Sequence, residues 1–228
     1  MDPALGPLSA VARALGPLVE EVVFVGGAIV PVLRTRSPIP RVRPTTDVDA
    51  ILETTRYADL ERVHETMRAR GFREDSEGRH AHRWLSPDGT AFDLVPIGHH
   101  LGGLGSDLEK EVVATATSHH LAPDLTIRHA GPAGFLALKC AAYGHRGKSD
   151  PLNSPDLEDL LAVVACRPDI VAQVHDAPEL LRATVAQWAA SIVADPLESD
   201  LLAAYLNGAD DVPATILAVR GRLRRMVE

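Results

Sequence analysis

Two cysteines in 228 residues leave no material for a disulfide-stapled scaffold. No stretch approaches the roughly eighteen uninterrupted apolar residues of a membrane-crossing helix. Cys140 and Cys166 fall in helical apolar patterns without metal-ligand spacing, so reduced core thiols are expected. No basic segment followed by an apolar one opens the chain, which predicts a cytosolic protein without membrane partners. Positive charge is also in deficit, with 23 Lys and Arg against 31 Asp and Glu and a net charge of −8. That balance is poor for a general nucleic-acid binder. The ten histidines include two adjacent pairs, His99-His100 and His119-His120, but no His-x-x-x-His and no cysteine partner, so they give no zinc signature. Internal repeats and low-complexity tracts are absent. A hydrophobic content of 46% is sufficient for one large or two small cores.

The pattern of elements changes near residues 120–132. Before it, strands alternate with helices: a helix around Leu8 to Val19, an apolar strand Glu21-Val22-Val23-Phe24-Val25, a glycine turn and then Ala28 to Leu33 at helical length. A strand around Asp47 and a helix from Tyr57 to Arg70 follow. Asp107 to Ala114 reads as a helix or an edge connection, and Leu125 to Arg128 as a last short strand. Beyond the Gly131-Pro132 break nearly everything has helical period: Asp156 to Val164, Asp169 to His175, Pro178 to Ala194, Leu197 to Leu206 and Pro213 to Val227. The expectation is an α/β (α+β) protein with two parts. Residues 1–130 form a mixed sheet with flanking helices, and 131–228 form a helical domain.

The chemistry concentrates in Pro44-Thr45-Thr46-Asp47-Val48-Asp49-Ala50. Side chains alternate along a strand, so Asp47 and Asp49 leave on one face and Val48 on the other. Like charges held side by side raise each other's pKa unless something positive sits between them, and a divalent cation is the usual resolution. Oxygen-only ligands favour magnesium or manganese over zinc. Upstream, Gly26-Gly27 closes a strand and opens a helix, where glycine permits a tight turn or a close approach of backbone to a phosphate. Downstream, Asp88-Gly89 between two β-prone runs predicts a hairpin. Asp93 interrupts the second, apolar run of that hairpin. A buried carboxylate needs a cation or a hydrogen-bonded partner, and the partner nearest in the pattern is Arg83.

Together, Gly26-Gly27, Asp47-x-Asp49 and Asp93 resemble the motif set of the polymerase-β-type nucleotidyltransferase superfamily. Within it, the chain resembles the AbiEii/AbiGii group, the nucleotidyltransferase toxins of type IV toxin–antitoxin systems. Two downstream stretches extend the resemblance over roughly residues 20 to 170. One is Phe135-Leu136-Ala137-Leu138-Lys139 with Gly144-His145-Arg146-Gly147-Lys148; the other is Ser154-Pro155-Asp156-Leu157-Glu158-Asp159. The chain departs from the group at Pro155, where histidine is frequent, and in the long proline-rich loop from Arg34 to Arg43.

The resemblance implies a nucleotidyl transfer from an NTP to an acceptor hydroxyl, with Mg2+ or Mn2+ as cofactor. Asp47 and Asp49 would hold two ions, one of them shared with Asp93. Lys139 and Asp159 join these three as catalytic candidates, with either Asp156 or Asp159 working with the lysine. Nucleotide contacts are implied for Gly26, Gly27, Thr46, Lys139, Arg146 and Asp156. tRNA or protein is the implied acceptor, and a cognate antitoxin the implied partner. An aminoglycoside-type small-molecule nucleotidyltransferase uses the same three carboxylates, and a non-catalytic nucleotide-binding module is the remaining alternative. The bland readings stand beside these. Lys139 could be a surface lysine, and Asp156 could serve only the dipole of its helix. Basic residues cluster at Arg34, Arg36, Arg41 and Arg43, at Arg146 and Lys148, and at Arg220, Arg222, Arg224 and Arg225, while His82 and His145 lie near the proposed site.

Overall fold

The computed structural model describes residues 3–39, 43–54, 56–75, 82–97, 107–147 and 149–228. The chain divides into two compact units. The first comprises Met1–Pro31 and Pro44–Ala130, the second Val32–Arg43 and Gly131–Glu228. Residues 32–43, which the sequence pattern groups with the sheet, therefore belong to the helical unit.

The first unit is built on a seven-stranded mixed sheet of order β3-β4-β5-β2-β1-β7-β6. Its strands are β1 (Val22–Val25), β2 (Asp47–Leu52), β3 (Arg73–Glu74), β4 (Arg83–Leu85), β5 (Ala91–Pro96), β6 (Thr117–Ala122) and β7 (Leu125–His129). The β2–β5 and β1–β7 pairs are parallel and the others antiparallel. Central β1 is apolar throughout, and Val22, Val23 and Phe24 are buried. In β2, Val48 and Ala50 are buried while Asp47 and Asp49 are only half-buried, the alternation expected of a strand with one polar face.

Helix α1 (Gly6–Leu15) buries Leu8, Val11, Ala12 and Leu15, one stripe at helical spacing. It is shorter than the period suggests, because Gly16 takes φ 55° and Pro17 cannot donate the next helical bond. A 3-10 turn continues from Gly16 to Glu21. After β1, a 3-10 turn (Gly27–Ile29) leads into the short α2 (Val30–Leu33). Helix α3 (Tyr57–Ala69) ends in a Schellman motif. Phe72 donates to the Met67 carbonyl and Gly71, at φ 88°, donates to that of Arg68. Helix α4 (Asp107–Ala114) settles the ambiguous segment as helical.

Strand β6 is absent from the sequence pattern. It is an edge strand whose residues are exposed or half-buried, so no apolar alternation marks it. His119 and His120 lie on it and point to opposite faces. The His119 ring meets that of His129 edge-on at 6.1 Å.

The second unit contains α5 (Pro132–Ala142), α6 (Pro155–Cys166), α7 (Ile170–His175), α8 (Glu179–Val193), α9 (Glu198–Leu206) and α10 (Val212–Val227). A π-helical turn (Tyr143–Gly147) extends α5. Ser154 caps α6 by accepting from Leu157 N at 3.3 Å, and Pro155 occupies the first helical position, where a missing N–H costs nothing. At the other end of α6, Arg222 donates to the Val164 and Ala165 carbonyls, while Thr35 and Arg36 amides donate to Cys166. These donors satisfy carbonyls that the helix itself leaves open. Both cysteines are free and buried, and burial pushes the Cys140 thiol well up, out of reach of ready ionisation. Among the described residues, no helix is long and apolar enough to cross a membrane.

Candidate functional site

In the sheet unit, hairpin register places the charges. The turn Ser86 to Thr90 closes with Gly89 donating to the Ser86 carbonyl and Ser86 donating to that of Thr90. Asp88 accepts from the Ser86 hydroxyl and the Thr90 amide, bonds that hold its carboxyl below the usual range. This geometry sets Leu85 opposite Ala91 and Arg83 opposite Asp93. The parallel β2–β5 pairing then sets Asp49 beside Asp93. Directly paired residues share a face, so Arg83, Asp93 and Asp49 run in one row across three strands, with Asp47 on the same face of β2.

The bonds within this row are specific. Arg83 Nε donates to Asp93 Oδ1 at 2.7 Å and Nη2 to Oδ2 at 2.7 Å, a bidentate fork. The same Nη2 reaches Asp47 Oδ2 at 3.1 Å. Hydrogen bonding to Asp93 outweighs burial and raises the Arg83 pKa, so the guanidinium is always charged. Thr45, not the exposed Thr46, completes Asp47: its hydroxyl donates to Oδ1 at 3.0 Å. Gly26 takes φ 71°, and a Cβ placed there would lie 1.9 Å from Asp49 Oδ2. Glycine is required at that point because the Asp49 carboxylate rests against the main chain.

Among the described residues, Arg83 is the guanidinium that bonds both Asp93 and Asp47. One nitrogen of Arg83, Nη2, bridges Asp47 and Asp93. Among the described residues no three His, Cys, Asp or Glu side chains converge closely enough to hold a metal. Carboxylate oxygens are the donor type a hard divalent cation takes, but in this row the Arg83 guanidinium supplies the positive charge between Asp47 and Asp93.

The helical unit holds a second cluster of different character. Lys139, on the last turn of α5, donates to Asp156 Oδ1 at 3.1 Å and pairs with Asp159 Oδ2 at 2.7 Å. Its side chain is 11% exposed and that of Asp156 is 1%, so Lys139 is no surface lysine. Arg146, from the π-helical turn, forks onto Asp156 at 2.7 and 2.9 Å. Arg43 reaches Asp159 at 3.3 Å. Burial works to raise the Asp156 carboxyl, but the Arg146 bonds and the Lys139 charge hold it below the usual range. Both aspartates grip the lysine. Tyr205, which no motif points to, fixes the start of α6: its hydroxyl accepts from Ser154 N at 2.9 Å and donates to Pro151 O at 2.6 Å.

Most of the arginines that suggested a positive groove are committed to internal contacts. Arg34 bonds the Ile39 carbonyl, Arg220 forks onto Glu198 and Arg222 caps α6. Arg36, Arg224 and Arg225 remain exposed. His145 is exposed and His82 half-buried, while Arg41, His99, His100 and Lys148 lie outside the described residues. The sequence matches no protein-family model, and a search of curated proteins finds no relative.

Proposed function

We propose that this protein is a metal-dependent nucleotidyltransferase of the polymerase-β type, with its catalytic face on β2 and β5. The single observation that carries the reading is the one-face row of Asp49 and Asp93 with Asp47 beside it, next to a glycine bend that the Asp49 carboxylate touches. In the reaction, an acceptor hydroxyl oxygen bonds to the α-phosphorus of an NTP, and the bond to the β-phosphate oxygen breaks. Pyrophosphate leaves. Mg2+ or Mn2+, which Asp47, Asp49 and Asp93 would hold, would supply the positive charge that such a transition state requires. Asp93 orients the acceptor hydroxyl and takes its proton. The Gly26-Gly27 backbone, free of side chains, admits the triphosphate. The helical unit enters through the resemblance, which implies nucleotide contacts for Lys139, Arg146 and Asp156 and catalytic roles for Lys139 and Asp159. Its own geometry supports a fixed, buried ammonium at Lys139.

For the acceptor, resemblance to the toxin group points to a tRNA end or a protein, with a cognate antitoxin as partner. A specific observation favours a second reading, transfer to a cationic small molecule of the aminoglycoside kind. The chain carries −8 net charge, and many of its clustered arginines are tied up internally. The deciding experiment incubates each of the four labelled NTPs, with Mg2+ or Mn2+, against total tRNA, total protein and aminoglycosides. Label should move to one acceptor class with the wild type, and Asp49→Ala should lose about 100-fold or more while keeping its circular dichroism. Undiminished transfer by Asp49→Ala rejects the assignment. Absence of any Mg2+-dependent nucleotide binding would leave a non-catalytic module instead.

A further inference from the structure

We propose that His64 is an acid-sensitive latch between α3 and β4: neutral, its ring packs on Trp84; protonated, it leaves Trp84 and the gap between helix and strand opens. The latch stands apart from any activity of the carboxylate row. Its basis is a half-buried imidazole with one nitrogen shut from water. The His64 and Trp84 rings lie 5.0 Å apart, centroid to centroid, at an interplanar angle of 55°. Trp84 is 2% exposed. Among the described residues, His64 Nε2 is buried and meets no hydrogen-bond partner. A neutral imidazole can leave that nitrogen as a bare lone pair. An imidazolium carries a proton on both nitrogens, so Nε2 becomes a charged donor with nothing to receive it. An unpaired buried charge costs far more than an unpaired lone pair.

The charges around the ring do not make up that cost. Glu61, one turn before His64 on α3, and Glu74 on β3 both favour a proton there. Each already accepts from Arg68, at 3.1 and 2.6 Å. Arg68, one turn after His64, also stands 5.8 Å from the centre of the Trp84 ring, so a cation is present beside the indole. Arg68 and His82, which precedes β4, both oppose a charge on His64. Burial is the largest influence and holds the His64 imidazole below the ordinary histidine value. The open form takes up its proton at the ordinary value and the closed form only below it, so falling pH favours opening throughout that interval. Trp84 and Arg83 are neighbours on β4 and point to opposite faces, so the latch holds the back of the strand that presents Arg83 to Asp93.

The chain has two tryptophans, one in each unit, and together they separate local opening from general acid unfolding. Trp188→Phe leaves Trp84 as the reporter, and Trp84→Phe leaves Trp188. Acrylamide quenching of each is followed as pH falls, and the His64 proton resonances give its titration directly. Trp84 should become several-fold more quenchable below the ordinary histidine range while Trp188 stays protected. His64→Phe, which fills the ring site and cannot titrate, should keep Trp84 protected down to the pH at which Trp188 is also exposed. His64→Gln, which never gains charge, serves if circular dichroism shows that the phenylalanine variant does not fold, and should show no step in the histidine range. A Trp84 transition that persists unmoved in the His64 variants overturns the latch. So does exposure of Trp84 and Trp188 at one and the same pH when His64 is present. Titration of His64 with Trp84 still protected also overturns it, since the ring would then accept its charge in place.

Discussion

The two charged clusters are made of the same residue types and behave as opposites. On the sheet, Arg83 bonds Asp93 and Asp47 in a half-open setting, with the Asp47 side chain 36% exposed. In the helical unit, Lys139 sits between two buried carboxylates, and the more exposed Arg146 and Arg43 add their charge. A buried ion-pair network fixes geometry and is costly to break, whereas a half-exposed one is screened by water and cheaper to alter. The difference separates a buried ion-pair network from a half-open one.

The comparison breaks first at Asp156. Replacing it with alanine leaves the Lys139 ammonium buried with one carboxylate fewer, and should destabilise the protein by about 3–5 kcal/mol in urea titration. Arg146 contributes the lesser part, because its side chain is 69% exposed and screened by water. Asp156 also gives the helical unit a pH signature. Its folded-state pKa is depressed, so its stabilisation is complete above the ordinary aspartate range and drains away as pH falls through the depressed value. An acid titration of stability should therefore show a limb below that range, and Asp156→Asn should flatten it.

On the sheet side, Gly26→Ala sharpens the comparison next. The new methyl would enter the Asp49 carboxylate in a backbone conformation that L-residues avoid, for about 1–3 kcal/mol and a loss of any activity of the row. Normal stability in that variant would show that the bend relaxes freely. The smallest effect is expected for Asp47→Asn. Removing one charge from an acid-rich, half-exposed group should shift stability by no more than about 0.5 kcal/mol, and in the stabilising direction if repulsion dominates. A loss of several kcal/mol there would erase the distinction between the two clusters.

Parts of this were legible in the chain. Alternation put Asp47 and Asp49 on one face, and the Asp88-Gly89 turn fixed a hairpin whose register sets Arg83 against Asp93. The Gly131-Pro132 break stands at the start of α5, where proline is tolerated at the first helical turn. Other parts were not. Thr45 rather than Thr46 meets Asp47, because two adjacent threonines just before the strand read alike in the sequence. Strand β6 carries no apolar alternation, and Tyr205 reaches the start of α6 from far along the chain. Gly16 ended α1 early, since a helical period does not show how sharply Gly-Pro interrupts it.

Taken alone, the order of residues determined which side chains share a strand face and which turn pairs two strands, because backbone periodicity and turn chemistry act over a few residues. Folding decided which charge neutralises which, and that could not be read from the chain. Electrostatic energy depends on separation in space and on exclusion of water, and only the packed sheet and helices set those. The Arg83 fork on Asp93 and the double grip on Lys139 are both outcomes of that packing.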